Sequence, residues 1–244
     1  MDRPYLAVII PAYNEEVRIT RTLERVNEYF SAQSYSWSVT VVSDGSKDQT
    51  CELVRNFAKT HENFSLMDLA PNEGKGSAVR QGILAAEGEF ILFSDADLAA
   101  PIEEVEKLYP KMESFDIAIG SRPLKESNLE VRQPFYREAF GRTANKLIQL
   151  LAVKGIKDTQ CGFKLFKHGV AKDVFSRCAL NGFSFDFEAL MIAQILNYKI
   201  AEVPIRWSHQ EGSKVVIWRD APKAFFDLFR LRLKGRAKLL EKKY

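Results

Sequence analysis

Cysteine is scarce. The chain has three, Cys51, Cys161 and Cys178, with no C-x-x-C pair among them, which argues against a disulfide framework and fits a reducing, cytoplasmic setting. No apolar run reaches the roughly 18 residues that a bilayer-crossing helix needs. The stretch Tyr5–Ile10 halts at Pro11, too soon for the apolar region of a secretory signal. A strong excess of one charge is also missing: 35 Lys+Arg against 32 Asp+Glu leave +3, too little for a generic nucleic-acid binder. No G-x-G-x-x-G follows the first apolar run and no Walker spacing occurs, which disfavours a dinucleotide dehydrogenase and a P-loop NTPase. Internal repeats and linker-like stretches are absent, so the 244 residues read as one domain.

What is present is alternation. Short β-branched runs at Leu6–Ile10, Val39–Val42, Phe64–Leu69, Phe90–Phe93 and Ile117–Ile119 are separated by helical periodicity at 15–30, 49–59, 77–86 and 102–112. Such a pattern builds an α/β fold, a mostly parallel central sheet with helices on both faces. Beyond Gly120 a polar connection (Arg122–Pro134) precedes a helix expected over 135–153. A strand-like piece follows at Gly162–Phe166, then helices near 170–175 and 187–196, a strand at Ile200–Ile205, and an amphipathic helix starting near Pro222.

Ligands of open parallel sheets bind beyond the carboxyl ends of the strands. Three polar clusters fall there: Pro11-Ala-Tyr-Asn-Glu15, Ser43-Asp-Gly-Ser46 and Ser94-Asp-Ala-Asp97. In the third, Asp95 and Asp97 leave the strand at i and i+2 and so project to one side. Two adjacent carboxylates repel unless a cation joins them, and Mg²⁺ or Mn²⁺ commonly takes one or two carboxylates plus substrate phosphates; the alternative is a pair capping the helix after Pro101. The turn Asn72-Glu-Gly-Lys-Gly-Ser77 offers either backbone N–H groups and Lys75 to an anion or an ordinary helix start.

Together with Gly120-Ser-Arg122, these clusters occur in the order found in inverting family 2 glycosyltransferases, which the chain resembles. Their fold is the GT-A, Rossmann-like nucleotide-diphospho-sugar transferase fold. Asp158-Thr-Gln-Cys-Gly-Phe-Lys-Leu-Phe166, Phe185-Asp-Phe-Glu188 and Glu211-Gly-Ser-Lys214 are similar to the dolichyl-phosphate β-glucosyltransferases and polyprenyl-phosphate relatives. The resemblance implies that Tyr13 stacks on the nucleotide base, Asp44 accepts its ring N–H, and Pro11 and Glu15 line base and ribose. It further implies that Lys75 approaches the diphosphate or sugar, that Asp95 and Asp97 hold the metal, that Arg122 and Arg137 clamp an acceptor phosphate, and that Lys214 closes over the donor. Tyr13 also reads as a plain core aromatic, and Arg137 as a solvated helix-face residue.

The implied reaction is metal-dependent, inverting transfer of glucose from UDP-glucose to a polyprenyl or dolichyl phosphate, with Asp97, Arg122, Arg137 and Lys214 assisting and no protein base. A GDP-mannose-dependent polyprenyl-phosphate mannosyltransferase and a non-catalytic nucleotide-sugar-binding module are the alternatives. Four positions depart from the family pattern: Ser43 stands for an Asp, Ala99 for a Gln that ligates metal, Gly141 for a phosphate-binding Ser, and His209 for a loop Arg. A division follows into a nucleotide-sugar-binding half (1–120), an acceptor-binding half (121–218) and a basic tail (219–244).

From Arg219 onward nine basic residues stand against three acidic ones. Phe226, Phe229, Leu233, Ala237 and Leu240 recur at helical spacing beside the basic line Arg230, Lys234 and Lys238. The tail therefore either lies in a lipid headgroup layer, placing the enzyme peripherally on the cytoplasmic face of a membrane, or packs on the body.

Overall fold

The computed structural model describes residues 3–131, 146–210, 217–233 and 236–243. Arg137, Gly141 and Lys214 lie outside the described residues, as do Lys234 and most of the helix expected at 135–153, of which residues 146–151 are helical.

The fully buried β1 (Leu6–Ala12) runs through the middle of the molecule. Its neighbours are β2 (Trp37–Asp44) and β4 (Phe90–Ser94), both parallel to it, with β3 (Phe64–Leu69) outside β2. On the other side lie β7 (Phe163–Lys167), β5 (Ile117–Ser121) and β8 (Ile200–Pro204). The order is β3-β2-β1-β4-β7-β5-β8, with only β7 antiparallel to its neighbours. Strands β2 and β4 leave β1 in opposite directions, so the crevice between their carboxyl ends is a topological switch point.

Strand alternation divides the core. Leu6, Val8 and Ile10 pack beneath α1 (Ile19–Ser31), α2 (Thr50–Ala58) and α4 (Val105–Leu108). Ala7 and Ile9 face α3 (Lys75–Ala85), α5 (His168–Phe175) and α6 (Phe185–Ile195). Helix α1 shows why the sequence folds this way: Ile19, Leu23, Val26 and Phe30, three or four residues apart, are all wholly buried, a stripe of helical period. Full burial contributes about 1.5–3 kcal/mol per large apolar side chain.

The expected α/β architecture is present, with four local differences. The helix expected at 102–112 is α4 flanked by 3₁₀ turns at Ile102–Glu104 and Tyr109–Glu113, because Pro110 cannot donate in a continuous helix. The polar connection after Arg122 contains β6 (Asn128–Val131), which pairs in parallel with β9 (Arg206–Ser208) as a second small sheet. Phe163–Lys167 enters the main sheet between β4 and β5. The tail helix α7 (Ile217–Leu233) begins before Pro222, near which the sequence placed its start, and carries the proline inside.

Helix α7 is apolar on two sides. Leu228 and Leu231 are buried in the body, whereas Phe225, Phe226, Phe229 and Leu233 are exposed, Leu233 at 82%. Helix α8 (Arg236–Leu240) then returns to α5, with Arg177 Nε donating to the Leu240 carbonyl at 2.9 Å and Lys243 N to that of Ser176 at 2.7 Å. Among the described residues no helix is long and apolar enough to cross a membrane.

Helix α3 lies so close to the sheet that a Cβ on Gly82 would stand 2.6 Å from Ile9 Cγ2 and 2.7 Å from Val42 Cγ2. Gly82→Val is therefore expected to destabilise the fold by about 1–3 kcal/mol through overpacking, despite removing a helix glycine; urea unfolding measures it, and an unchanged midpoint would contradict the packing.

Candidate active site

The carboxyl ends of β1, β2 and β4 carry the three polar clusters to one rim. After β2 the chain must turn at once. Gly45 does so at φ +69°, where a Cβ would meet Asn72 N at 2.8 Å. Buried Ser43 serves the same turn, its hydroxyl accepting from Ser46 N at 3.2 Å and from the Cys51 thiol at 3.1 Å. Asn14, at φ +51°, ties the first cluster to the second: its N–H donates to Ser46 Oγ (3.1 Å) and its Oδ1 accepts from Lys47 N (2.8 Å). Tyr13 is half-buried beside it and Pro11 is buried. Glu15 pairs with Arg18 at 2.9 Å.

Asp44 faces the opposite way from Ser43, as strand alternation requires. Its Oδ1 accepts from Glu73 N (2.9 Å) and its Oδ2 from Gly74 N and Asn72 Nδ2 (both 2.8 Å). Burial pushes this carboxyl above its ordinary range, against the two backbone bonds. The 72–77 turn is consequently no anion cradle. Glu73 and Gly74 N–H are spent on Asp44, Gly76 N donates to Asn181 O at 2.7 Å, and Ser77 N to Gly74 O at 2.9 Å. Its glycines serve close packing instead: Gly74, at φ +113°, would put a Cβ 2.4 Å from Asn181 O.

What the turn does deliver is Lys75, the first residue of α3. Its ammonium lies 2.7 Å from Asp95 Oδ1 and 5.3 and 5.9 Å from the ring centroids of Phe93 and Phe183. Burial alone would lower its pKa, but Asp95 and then Asp186 hold it above the ordinary lysine value.

Asp95 and Asp97 stand in the turn just beyond β4. The Asp95 carboxylate lies against Gly162, where a Cβ would fall 1.9 Å from Asp95 Oδ2, while Asp95 N donates to Gly162 O at 3.0 Å. Asp97 Oδ1 accepts from Ala99 N at 3.0 Å. Burial first, and the Asp95 charge second, raise the Asp97 carboxyl above its usual range. A pair of hard oxygen donors burdened by mutual repulsion fits a hard divalent cation. Among the described residues no cluster of three or more His, Cys, Asp or Glu could hold a metal, so within them the donor set here is this pair alone.

Arg122 leaves the end of β5 and locks onto Asp158, Nε to Oδ2 at 2.7 Å and Nη2 to Oδ1 at 2.8 Å, while Arg122 N reaches Oδ2 at 3.0 Å. Burial disfavours the Asp158 charge, but Arg122 holds its carboxyl below the ordinary range. The guanidinium also lies 5.4 Å from the Trp207 ring centroid. Trp207, Asp95, Leu98, Cys161 and Gly162 together line a small pocket beside the acid pair. Burial pushes the Cys161 thiol up to about 12, so it is no nucleophile near neutrality.

The structure thus brings Pro11, Tyr13, Glu15, Asp44, Lys75, Asp95, Asp97 and Arg122 to one rim. Sequence reasoning missed Trp207 and the buried ion pair of Lys164 with Asp186, where Lys164 also donates to Cys161 O at 2.7 Å. The only signal was the Gly162-Phe-Lys164 and Phe185-Asp186 text itself; that these residues meet beneath Asp95 depends on the antiparallel β7.

The model of the Glycosyl transferase family 2 matches residues 7–175. The dolichyl-phosphate β-glucosyltransferase of Dictyostelium discoideum is 37% identical over 247 residues, covering 96% of this chain and 76% of that protein. That of Homo sapiens is 35% identical over 243 residues, covering 94% and 75%. Among solved structures, the glucosyl-3-phosphoglycerate synthase of Mycobacterium tuberculosis, in complex with Mn²⁺, UDP and glucosyl-3-phosphoglycerate, superimposes with a TM-score of 0.69 at 14% identity, covering 94% of this chain and 80% of that one; this is a likeness of fold, and it is of GT-A type. With its match to the family model and its likeness to these relatives over most of its length, the chain belongs to glycosyltransferase family 2, as a dolichyl-phosphate β-glucosyltransferase-like enzyme.

Proposed function

We propose that the chain transfers glucose from UDP-glucose to a dolichyl or polyprenyl phosphate with inversion at the anomeric carbon. The observation that carries this reading is the repelling pair Asp95/Asp97, set between Lys75 and the Arg122–Trp207 stack at the switch point of the sheet. The curated relatives are glucosyltransferases that act on dolichyl phosphate by name, which favours glucose over mannose. Tyr13 and Asp44 flank the groove for the base, with Pro11 and Glu15 beside them. Asp95 and Asp97 would hold Mg²⁺ or Mn²⁺, which when bound would neutralise charge on the departing diphosphate. Lys75 contributes a positive charge on the other side of Asp95. The N-terminal 120 residues serve the donor and the following hundred the acceptor.

No protein base is needed. A phosphomonoester with a second pKa of about 6 is already largely ionised near neutrality, so the residues' task is to bring two anions together. Arg122 supplies positive charge with its orientation fixed by Asp158. Arg137 and Lys214 are assigned to acceptor phosphate and donor closure on the resemblance alone.

The tail suits a lipid-borne acceptor. Exposed Phe225, Phe226, Phe229 and Leu233 alternate along α7 with exposed Arg230 and Arg232, an apolar and cationic face of the kind that enters an anionic headgroup layer. Its inner leucines keep it on the body meanwhile.

Three outcomes are expected. Asp97→Asn, or EDTA on the unaltered enzyme, should lower glucose transfer from UDP-glucose to a short polyprenyl phosphate by about a hundredfold or more; full turnover under either condition refutes the metal role. Gly162→Ala should reduce the same transfer at least about tenfold by pushing Asp95 out of place, with a melting temperature shifted by only a few degrees; a wild-type rate would show that Asp95 need not lie there. Phe226→Asp with Leu233→Asp should cut flotation with anionic liposomes severalfold while circular dichroism stays unchanged, and undiminished flotation would move the lipid contact elsewhere.

A further inference from the structure

Asp95 already has a cation. The Lys75 ammonium lies 2.7 Å from its Oδ1, on the carboxylate that the proposed donor chemistry requires for a metal. The backbone of Lys75 cannot retreat. On one side Gly74 is pressed to Asn181 at φ +113°, and on the other Gly76 N is bonded to Asn181 O at 2.7 Å. The side chain is differently placed. Its ammonium lies near Phe93 and Phe183, rings that attract an ammonium without fixing its direction, and a quarter of the side chain (24%) is open to solvent. Gly162 stands behind the other oxygen of Asp95.

We propose that Lys75 is a tethered counter-ion which a divalent cation must displace from Asp95, so that metal and nucleotide diphosphate enter together and the metal binds poorly alone. The proposal rests on the metal role given above. A second positive charge beside a lysine is repelled strongly where the surrounding protein screens less than water does. That cost disappears once an anionic diphosphate offers the ammonium another partner. Lys75 would then pass from carboxylate to phosphate, a move its four-carbon stem allows without backbone change. Asp186, which helps hold the ammonium charged, is itself tied to Lys164 and stays behind as a fixed wall.

The test is Mn²⁺ binding to the whole chain followed by electron paramagnetic resonance, with and without UDP, for the unaltered protein, Lys75→Gln, Lys75→Met, Lys75→Arg and Asp97→Asn. Circular dichroism reports the folding of each. Without nucleotide, Lys75→Gln and Lys75→Met are expected to bind Mn²⁺ about tenfold or more tightly than the unaltered protein, and UDP should then improve their Mn²⁺ affinity by a smaller factor. Lys75→Arg, which keeps the charge, should stay weak. Neutral variants that bind nucleotide-free Mn²⁺ no better than the unaltered protein overturn the displacement while leaving the metal site standing. Failure of the unaltered protein to bind Mn²⁺ even with UDP, or equal binding by Asp97→Asn, removes the metal reading and this inference with it.

Discussion

Two carboxylates forced together at the end of a central strand are the constraint around which the site is arranged. Asp97 is raised by burial and by Asp95, so the rim carries an electrostatic debt that the surrounding residues meet with positive groups. Lys75 reaches Asp95 from α3, Lys164 and Asp186 form a buried pair below, and Arg122 with Asp158 closes the side. Buried pairs of this kind stabilise little by themselves, but removing one partner strands a charge. They therefore act chiefly to fix where groups point.

The same logic explains several residue choices that look incidental in isolation. Ser43 sits in a wholly buried place beside the Cys51 thiol and serves the turn through its hydroxyl. A carboxylate there would add a charge close to Asp68. Trp207 gives Arg122 a flat surface at 5.4 Å, so the guanidinium is oriented by a ring on one side and a carboxylate on the other. Glu104, only 2% exposed, binds Arg206 at 2.7 Å and Lys107 at 2.6 Å, anchoring the strand that carries Trp207.

Much of this was legible before any coordinates. The inner strands β1, β4 and β5 are readable because they are buried on both faces and so begin as unbroken apolar runs, as in Leu6–Ile10. The rim clusters were readable because each lies where such a run stops. Of the two readings open for the 72–77 turn the structure takes the helix start, because the backbone N–H groups that its glycines suggest are consumed by Asp44 and Asn181, distant contacts that no local pattern encodes. The antiparallel entry of Phe163–Lys167 was equally invisible. Five residues of mixed character carry no sign of direction, and direction decides whether Gly162 meets Asp95.

The inserted strand has one more consequence, and it concerns time. Strands β1 to β4 pair among themselves, and β5 is made soon afterwards, yet β5 finds no neighbour on the growing sheet until β7 arrives to separate it from β4. Asp95 therefore lacks its glycine backing in any segment of the chain that stops short of β7, because Gly162 is encoded about seventy residues downstream of it.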